Sequence, residues 1–461
     1  GDAAADPGPS PSAAPASAGL SRERAEAITR EITTAVASAR HLEMKSPVEI
    51  EVLDRKAIRA FAQNSMYDHH TPDEVNMFGR IDASLGVIPV GASIEQILLD
   101  MLEDAVMGIY DPKTKRLLIG AHVSEAMLPM VSGHELAHGL QDMHFDLGQH
   151  QIPLRGQSDA EAARTFLIEG DAQASFMAWN AGADGLAAYP EAVLNALGDQ
   201  ALSLAGALDN PILARSLQMP YADGAATVTR LARERGWDAV DALYADLPTT
   251  SEQMLHIDKL LAREPAVPVT ARCDVVREGL PEFAIVWEDT LGEASLLTML
   301  ADIEKVAQAR AAAAGWGGDR FLVLERRHAR AVVPTIVGVF VWDTESDARV
   351  FETVFTRYLD RAMRGAYLLE RRGAQVVYAT RVPDAKTRAQ LEQIAWKAFR
   401  VDKGTAAPGP VCGVPPKSAK SGTNAAHAVS TQTSTQPSSQ TQPSTQPSTQ
   451  QRATSPSSST P

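Results

Sequence analysis

Apolar side chains recur at three- and four-residue spacing along most of the first 263 residues, which is the period of a helix with one buried face. This spacing predicts helices over residues 21–42, 54–66, 93–108, 125–141 and 158–182, followed by three or four more. The segment PVEIEVLD alternates like a strand, and two short strand-like runs flank the turn DPKTK. The pattern therefore predicts a mostly helical domain with a short sheet over residues 21–270.

The pattern changes from residue 271 onward, after the proline-rich segment EPAVPVTARC. The runs FLVLERR, PTIVGVFVWD and AQVVYATRV predict strands, whereas residues 345–363 and 385–399 have the helical period. This β-β-α-β-α order predicts a smaller α+β domain over residues 271–403. The fold class expected for the whole chain is therefore α+β, with a mostly helical first part.

The two ends of the chain have few large apolar side chains. Residues 1–20 are rich in Ala, Pro and Ser, and residues 404–461 are rich in Ser, Thr, Gln and Pro. Such segments cannot bury enough apolar surface to offset the entropy of ordering, so both are predicted to be disordered. Linkers like the first often follow a signal peptide or a lipid-anchored cysteine in exported bacterial proteins. We therefore expect a bacterial extracytoplasmic protein (periplasmic, cell-envelope or secreted), with room for a lipid anchor upstream of Gly1.

Charge and hydropathy argue against two classes of partner. The chain has a formal net charge of -14, and the tail from residue 404 contains three basic and no acidic residues, so the remainder is more acidic still. Phosphate contacts need clustered Lys and Arg, so neither nucleic acid nor an anionic membrane surface is expected as a partner. The chain contains no run of 18 apolar residues, and no transmembrane helix is expected.

The chain contains two cysteines, Cys273 and Cys412, which are too few for a disulfide scaffold. The sequence leaves two alternatives open. The cysteines either form one bridge that ties the segment PVCGVPP to the folded body, or they are two free thiols.

His134, Glu135 and His138 form the motif H-E-x-x-H within the segment SGHELAHGLQDMH. On a helix, positions i and i+4 lie on one face, so both imidazoles can ligate one cation. The glutamate then lies beside the open coordination position, where it can accept a proton from metal-bound water. Zinc lowers the pKa of that water to about 7 and polarises a peptide carbonyl. The motif therefore predicts a zinc site with Glu135 as the general base.

Two residues compete for the place of the third ligand. His144 stands where the motif H-E-x-x-H-x-x-G-x-x-H has its last histidine, but that motif requires a glycine where this chain has Gln141, a good helix former. A helix that continues through Gln141 points His144 away from the other two histidines. Glu169 lies in LIEGDA on the next predicted helix, in an apolar setting where a carboxylate is costly unless it is paired or bound to metal. Glu169 is therefore the expected third ligand of a His2Glu site.

These motifs resemble the gluzincin class of zinc metallopeptidases. GHELAHGLQDMHFDL followed by FLIEGDA looks like a group of bacterial extracytoplasmic proteins with the pattern HEL-x-H-x-LQD-x-HFDL and a downstream EGDA. Blocks similar to that group extend over residues 95–345. The resemblance implies a zincin-like catalytic domain, a Zn2+ cofactor and peptide-bond hydrolysis. Many gluzincins have E-x-x-x-D on the second helix, but this chain has Gln173 there, and Asp171 is the nearest candidate to hydrogen-bond a ligating histidine.

Peptide hydrolysis also needs a hydrogen-bond donor to the developing oxyanion. His256 in SEQMLHIDK and Tyr221 in MPYADG are the plausible suppliers, with Tyr110 as a third, and we name His256 as the expected catalytic donor. The run RLLIGAHV, just before the metal-binding helix, is either an edge strand that pairs with an extended peptide substrate or an ordinary buried strand.

The sequence therefore predicts a secreted or envelope-associated zinc metallopeptidase that acts on a peptide or protein substrate. His134, His138 and Glu169 would hold Zn2+, and Glu135 would act as the base. The alternative is a non-catalytic surface or binding protein with a structural or vestigial zinc site. Glu135 disfavours the alternative, because a structural site needs no base and usually fills all four positions with protein ligands.

Overall fold

The computed structural model describes residues 20–328, 333–402 and 412, and for residues 104 and 105 the backbone alone. The two segments predicted to be disordered, 1–20 and 404–461, therefore lie outside the described residues except for Leu20 and Cys412. Helices predominate in the described part, and its strands form three small sheets. The α+β fold class is confirmed at this level.

Helices make up nearly all of the first part of the chain. They are α1 (Arg22–Arg40), α2 (Arg55–His69), α3 (Pro72–Leu85), α4 (Ile94–Ala105), α5 (Leu128–Phe145), α6 (Leu147–His150), α7 (Ser158–Asn180), α8 (Glu191–Ala205), α9 (Pro211–Met219), α10 (Ala225–Arg235), α11 (Trp237–Ala245), α12 (Ser251–Leu255) and α13 (Ile257–Ala262). A 3-10 helix, Gly182–Ala188, precedes α8, and a π-helical turn, Pro220–Gly224, joins α9 to α10. Within the described part of the chain, no helix combines the length and apolar character needed to cross a membrane.

A three-stranded sheet accompanies these helices, made of β1 (Glu49–Leu53), β2 (Gly108–Asp111) and β3 (Arg116–Gly120). The strand order is β1-β3-β2, with β3 parallel to β1 and antiparallel to β2. Strand β3 contains the run RLLIG, so of the two alternatives for RLLIGAHV the ordinary buried strand is correct. A strand paired on both sides cannot accept a further strand, and β2 is the edge strand that packs against α5.

The second part of the chain contains the other two sheets. Its strands are β4 (Val269–Ala271), β5 (Phe283–Asp289), β6 (Trp316–Arg326), β7 (Thr335–Trp342), β8 (Tyr367–Arg372), β9 (Gln375–Thr380) and β10 (Phe399–Val401). Its helices are α14 (Cys273–Gly279), α15 (Gly292–Leu300), α16 (Val306–Ala313), α17 (Glu345–Met363) and α18 (Ala385–Ile394), followed by a 3-10 turn, Ala395–Lys397. Five strands form an antiparallel sheet of order β5-β6-β7-β9-β8, and β4 pairs with β10.

Strand β7 explains why the sequence TIVGVFVW is apolar without alternation. All eight of its residues are buried. Ile336, Phe340 and Trp342 enter the largest hydrophobic core, which also includes residues of α7, α15 and α17. Val337, Val339 and Val341 enter a second core with residues of α14 and α18. Because successive side chains of a strand point to opposite faces, both faces of this sheet are covered.

Buried carboxylates join the start of α7 to strand β5 of the second part of the chain and to helix α12. Asp289, at the end of β5, accepts hydrogen bonds from the backbone N–H and the hydroxyl of Ser158, each at 2.8 Å. Asp159 accepts hydrogen bonds from the hydroxyl of Ser251 at 2.5 Å and from its backbone N–H at 3.1 Å. Burial raises the pKa of Asp159 to about 7. These contacts fix the N-terminal end of the helix that carries Glu169.

Cys273 and Cys412 form a disulfide, so the bridged alternative is the one that the structure shows. Their Cα atoms lie 5.4 Å apart, and the bridge closes a sequence separation of 139 residues. Cys412 is buried in the second core, and its backbone N–H donates to Glu288 of β5 at 2.6 Å. The bridge ties this cysteine to the start of α14.

Candidate metal centre

Helices α5 and α7 bring the three predicted ligands, His134, His138 and Glu169, together. The Nε2 atoms of the two histidines lie 3.2 Å apart. The Oε2 atom of Glu169 lies 3.4 Å from Nε2 of His134 and 3.2 Å from Nε2 of His138. Across the described residues, these are the His, Cys and acidic side chains that are close enough to share one metal ion.

The size of this triangle fits a tetrahedral zinc ion. Tetrahedral ligands with bonds of about 2.0–2.1 Å lie about 3.3–3.4 Å from one another. The observed separations of 3.2, 3.2 and 3.4 Å match that value. The Oε2 atom of Glu169 is buried and faces the Nε2 atoms of both histidines, so a cation between them would satisfy it. Two imidazoles and one carboxylate are also a donor set of catalytic zinc sites, which keep the fourth position open.

A glycine next to a predicted ligand on each helix allows a neighbouring element to approach closely. Gly133 directly precedes His134, and a Cβ atom at this position would lie only 3.0 Å from the ring of Trp179 on α7. The neighbour of Glu169 is also a glycine, Gly170, and a Cβ atom there would overlap the backbone of Gly224. The sequence around each ligand therefore contains a small residue where the next element makes contact.

Gln141 contacts a predicted ligand in a way that the sequence analysis did not predict. Its Oε1 atom lies 2.8 Å from Nδ1 of His138, and its Nε2 atom donates to the backbone carbonyl of Ile168 at 2.9 Å. With a proton on Nδ1 donated to Gln141, Nε2 of His138 is the ring atom left to bind a metal ion. The spacing of three residues from His138 on one helix is the signal that could have identified it. The Nδ1 atom of His134, by contrast, is buried without a hydrogen-bond partner in the described chain.

Glu135, the predicted base, is buried on α5 beside strand β2. Its Oε2 atom accepts a hydrogen bond from the backbone N–H of Tyr110 at 2.8 Å. Gly108, on the same strand, leaves no room for a side chain, because a Cβ atom would lie 3.0 Å from Cγ of Glu135. The edge strand thus fixes the carboxylate by a backbone contact. The hydroxyl of Tyr110 donates a hydrogen bond to Asp142 at 2.8 Å. It is therefore already engaged with a residue that is not a predicted metal ligand.

Opposite charges dominate the electrostatics of the centre. Burial disfavours the charged form of His138, but the negative charges of Glu169 and Glu135 outweigh this and raise its pKa to about 9. Burial also disfavours the ionised form of Glu169, but the two histidines outweigh this and lower its pKa well below the usual range. Glu169 is therefore ionised at neutral pH, as a metal ligand must be. A metal ion would replace the proton on His138, so metal binding weakens as the pH falls.

Tyr221 lies beside the ligands on the π-helical turn Pro220–Gly224. Its ring centroid is 5.5 Å from that of His134, and the planes are inclined at 31°. The residue is 40% exposed, so part of it faces solvent beside the ligands. Burial, followed by the negative charges of Glu169 and Glu135, raises the pKa of Tyr221 well above its ordinary value. The phenol is therefore a hydrogen-bond donor over the whole neutral range.

The structure places two other sequence candidates away from the ligands. Asp171 accepts hydrogen bonds from Arg40 at 2.6 and 3.1 Å and from the hydroxyl of Tyr244 at 2.9 Å, so it serves a buried ion pair and not a ligating histidine. His144 lies near the end of α5, which continues to Phe145, and its Nε2 atom bonds the carbonyl of Glu43 at 2.9 Å. Without a glycine at position 141 the helix does not turn back, and His144 stays outside the ligand triangle.

His256 lies in a separate cavity. Its Nε2 atom is 2.9 and 3.0 Å from the two carboxylate oxygens of Glu293. Burial opposes the charged imidazole, but Glu293 raises its pKa above the ordinary value. The pair lines a cavity of about 410 Å³ together with Asp223, Arg230 and Arg310, and the described residues that line it include no predicted metal ligand. The structure thus brings Tyr221, and not His256, next to the ligand triangle.

Comparison with known proteins concerns the second part of the chain. A family model described as a domain of unknown function (DUF8575) matches residues 284–395. This segment runs from β5 to the end of α18 and contains neither Glu135 nor the predicted metal ligands. A search of curated proteins and a search of solved structures each found no match. Any functional assignment of the metal centre must therefore come from its own geometry and chemistry.

Proposed function

We propose that the protein is a zinc-dependent peptidase in which His134, His138 and Glu169 hold the metal. The observation that carries the proposal is the ligand triangle of 3.2–3.4 Å with the buried carboxylate of Glu135 on the same helix. Three protein ligands with an open fourth position are typical of catalytic zinc sites, whereas structural sites are usually closed by four. The resemblance of the sequence motifs to gluzincins supports the same conclusion.

Each remaining residue of the centre has a role that follows from its position. Bound Zn2+ would lower the pKa of a coordinated water to about 7 and polarise the substrate carbonyl. Glu135, held by the N–H of Tyr110, would accept the proton of the attacking water and pass it to the leaving amine. Tyr221, which keeps its proton at neutral pH, would donate a hydrogen bond to the developing oxyanion. His256 receives no role at this centre.

Two further features agree with this function. Strand β2 is the edge of its sheet and lies directly beside Glu135, so an extended peptide substrate would pair along it by strand addition. The disulfide between Cys273 and Cys412 supports an extracytoplasmic location, because such bridges persist in oxidising compartments. The substrate class is a peptide or protein, and the metal is zinc.

The decisive experiment is the substitution Glu135→Gln in the full chain. It removes the base and keeps the shape of the side chain. We expect hydrolysis of fluorescein-labelled casein to fall by at least about 100-fold while the zinc content stays that of the wild type. The matched control is Glu125→Gln, an exposed glutamate just before α5, which should cleave casein normally. Equal casein hydrolysis by the wild type and Glu135→Gln, or none by the wild type, would favour the non-catalytic alternative.

A further inference from the structure

The π-helical turn Pro220–Gly224 carries Tyr221 and also forms an ion pair with α16. Asp223, two residues further on, accepts a hydrogen bond through Oδ1 from Nη2 of Arg310 at 2.8 Å. Arg310 lies on α16 and also donates through Nε to Asp199 of α8 at 2.7 Å. We propose that Arg310 is a positioning residue that holds this turn, through Asp223, so that Tyr221 faces the metal ligands. The role of Tyr221 itself rests on the proposed function.

The contact between Arg310 and Asp223 is built into the packing of α8. The side chain of Asp223 is 13% exposed, whereas that of Asp199 is 49% exposed. The ion pair between Asp223 and Arg310 lies directly against Gly198 of α8. A Cβ atom at this position would overlap both side chains. Of the two ion pairs that Arg310 forms, the one with Asp223 of the turn is therefore the more enclosed.

The opposite side of the turn rests on α7, the helix that carries Glu169. Gly170 and Gly224 meet through their backbones, and a Cβ atom on Gly224 would also overlap the carbonyl of Phe166. This contact fixes how close the turn lies to α7. The turn is continuous with α9 and α10, so only a small shift is open to it, and such a shift would change the position of the Tyr221 ring relative to His134. The ion pair to Arg310 ties the side of the turn that carries Asp223 to α16 and limits this shift.

Loss of Arg310 would leave the carboxylate of Asp223 enclosed without its cation. The Oδ2 atom of Asp223 is already buried and has no hydrogen-bond partner among the described residues. A buried charge that loses its partner is strongly destabilising, so the carboxylate would take up a proton or move toward water, and in either case the turn would lose its tie to α16 and could shift. Tyr221 lies two residues away in the same turn and would move with it. The metal ligands lie on α5 and α7, and Arg310 contacts none of them, so zinc binding should persist.

This proposal gives the segment matched by the family model a function at the metal centre. Arg310 lies within residues 284–395, which supply no predicted metal ligand and no base. Through α16 that segment instead determines where the predicted oxyanion donor stands.

The first test measures the turn directly and does not depend on activity. Hydrogen–deuterium exchange with mass spectrometry would compare zinc-loaded full-length wild type, Arg310→Gln, Arg310→Lys and Asp199→Asn. We expect severalfold faster exchange in peptides covering residues 219–226 for Arg310→Gln, with unchanged zinc content and partial recovery in Arg310→Lys. Asp199→Asn is the matched control, because it removes the exposed partner of the same arginine and should leave exchange unchanged. Wild-type exchange in Arg310→Gln would overturn the proposal.

The second test asks whether Arg310 acts through Tyr221. In casein hydrolysis, we expect Arg310→Gln to lower kcat by about tenfold with little change in KM, as expected for a displaced catalytic group. The double variant Tyr221→Phe/Arg310→Gln should be no slower than Tyr221→Phe alone. Additive losses would show that Arg310 acts on another group and would overturn the proposal. Absence of casein hydrolysis in the wild type would instead defeat the proposed function, and the exchange experiment would still decide whether Arg310 holds the turn.

Discussion

The Nδ1 atom of His138 and the Oε1 atom of Gln141 lie 2.8 Å apart, and the amide nitrogen of the same glutamine reaches the carbonyl of Ile168 at 2.9 Å. Ile168 directly precedes Glu169. One buried side chain therefore sets the orientation of a ligand on α5 and also the backbone position next to the ligand on α7. Gln141 therefore joins the two helices that carry the predicted ligands.

Substitution Gln141→Leu should weaken zinc binding by about 10- to 100-fold, which is the usual effect of removing a hydrogen bond behind a metal ligand. The measurement is a competition titration of the metal-free protein against a chromophoric chelator. Gln149→Leu, at an exposed glutamine just after α5, is the control and should bind zinc like the wild type. Equal zinc affinity of Gln141→Leu and the wild type would show that His138 is oriented by its packing alone.

Metal content distinguishes the two candidates for the third ligand. Glu169→Ala, purified without added metal, should contain almost no zinc, because the triangle loses its carboxylate. His144→Ala should retain about one zinc per chain, since His144 bonds the carbonyl of Glu43 and lies outside the triangle. Plasma mass spectrometry on both variants and the wild type provides the comparison. Loss of zinc in His144→Ala alone would assign the site to the three-histidine type.

The stability of the protein should depend on the ionisation of Asp159. Burial raises its pKa to about 7 in the folded protein, whereas in the unfolded chain it is about 3.9. Between these values the folded state binds more protons than the unfolded state. The contribution of Asp159 to the free energy of unfolding is therefore complete below pH 4 and is lost as the pH rises toward 7.

Asp159→Asn cannot ionise and keeps an oxygen that accepts the hydrogen bonds from Ser251. We expect its free energy of unfolding, measured by urea titration, to fall less between pH 4 and pH 8 than that of the wild type, by a few kcal/mol. The exposed Asp258→Asn serves as control and should follow the wild-type curve. Parallel curves for Asp159→Asn and the wild type would contradict the assignment.

The sequence was sufficient to pick out the three residues that the structure brings together, because the signals for them are local. His134 and His138 share a helix face by spacing alone, and the apolar surroundings of Glu169 marked it as a carboxylate that needs a partner. The role of Gln141 was not predicted, although it lies on the same helix. The sequence showed only that position 141 lacks the glycine that the three-histidine motif requires. The partner of Gln141, the carbonyl of Ile168, becomes adjacent only when α7 packs against α5.

Other roles depend on contacts between distant parts of the chain. Asp171 accepts a hydrogen bond from Arg40, 131 residues away in sequence, and His256 bonds Glu293, 37 residues away. Local sequence patterns therefore could not predict either contact. The same holds for the edge strand: the sequence located β2 and β3, but their order in the sheet depends on β1, more than fifty residues earlier. The sequence analysis did not predict helix α3 or, in the second part, helices α14–α16 and strands β4, β5, β8 and β10.

The two-sided burial of β7 has a practical consequence for dividing the chain. A fragment that begins near the proline-rich segment before residue 271 would contain the whole antiparallel sheet. Its Phe340 and Trp342 would keep α15–α17 as neighbours but would lose the helices from the first part that complete the same core. Such a fragment would expose an aromatic surface to water and would tend to aggregate during expression. Biochemical work should therefore treat the helices of the first part and the sheet as one folding unit and should alter single side chains instead of removing segments.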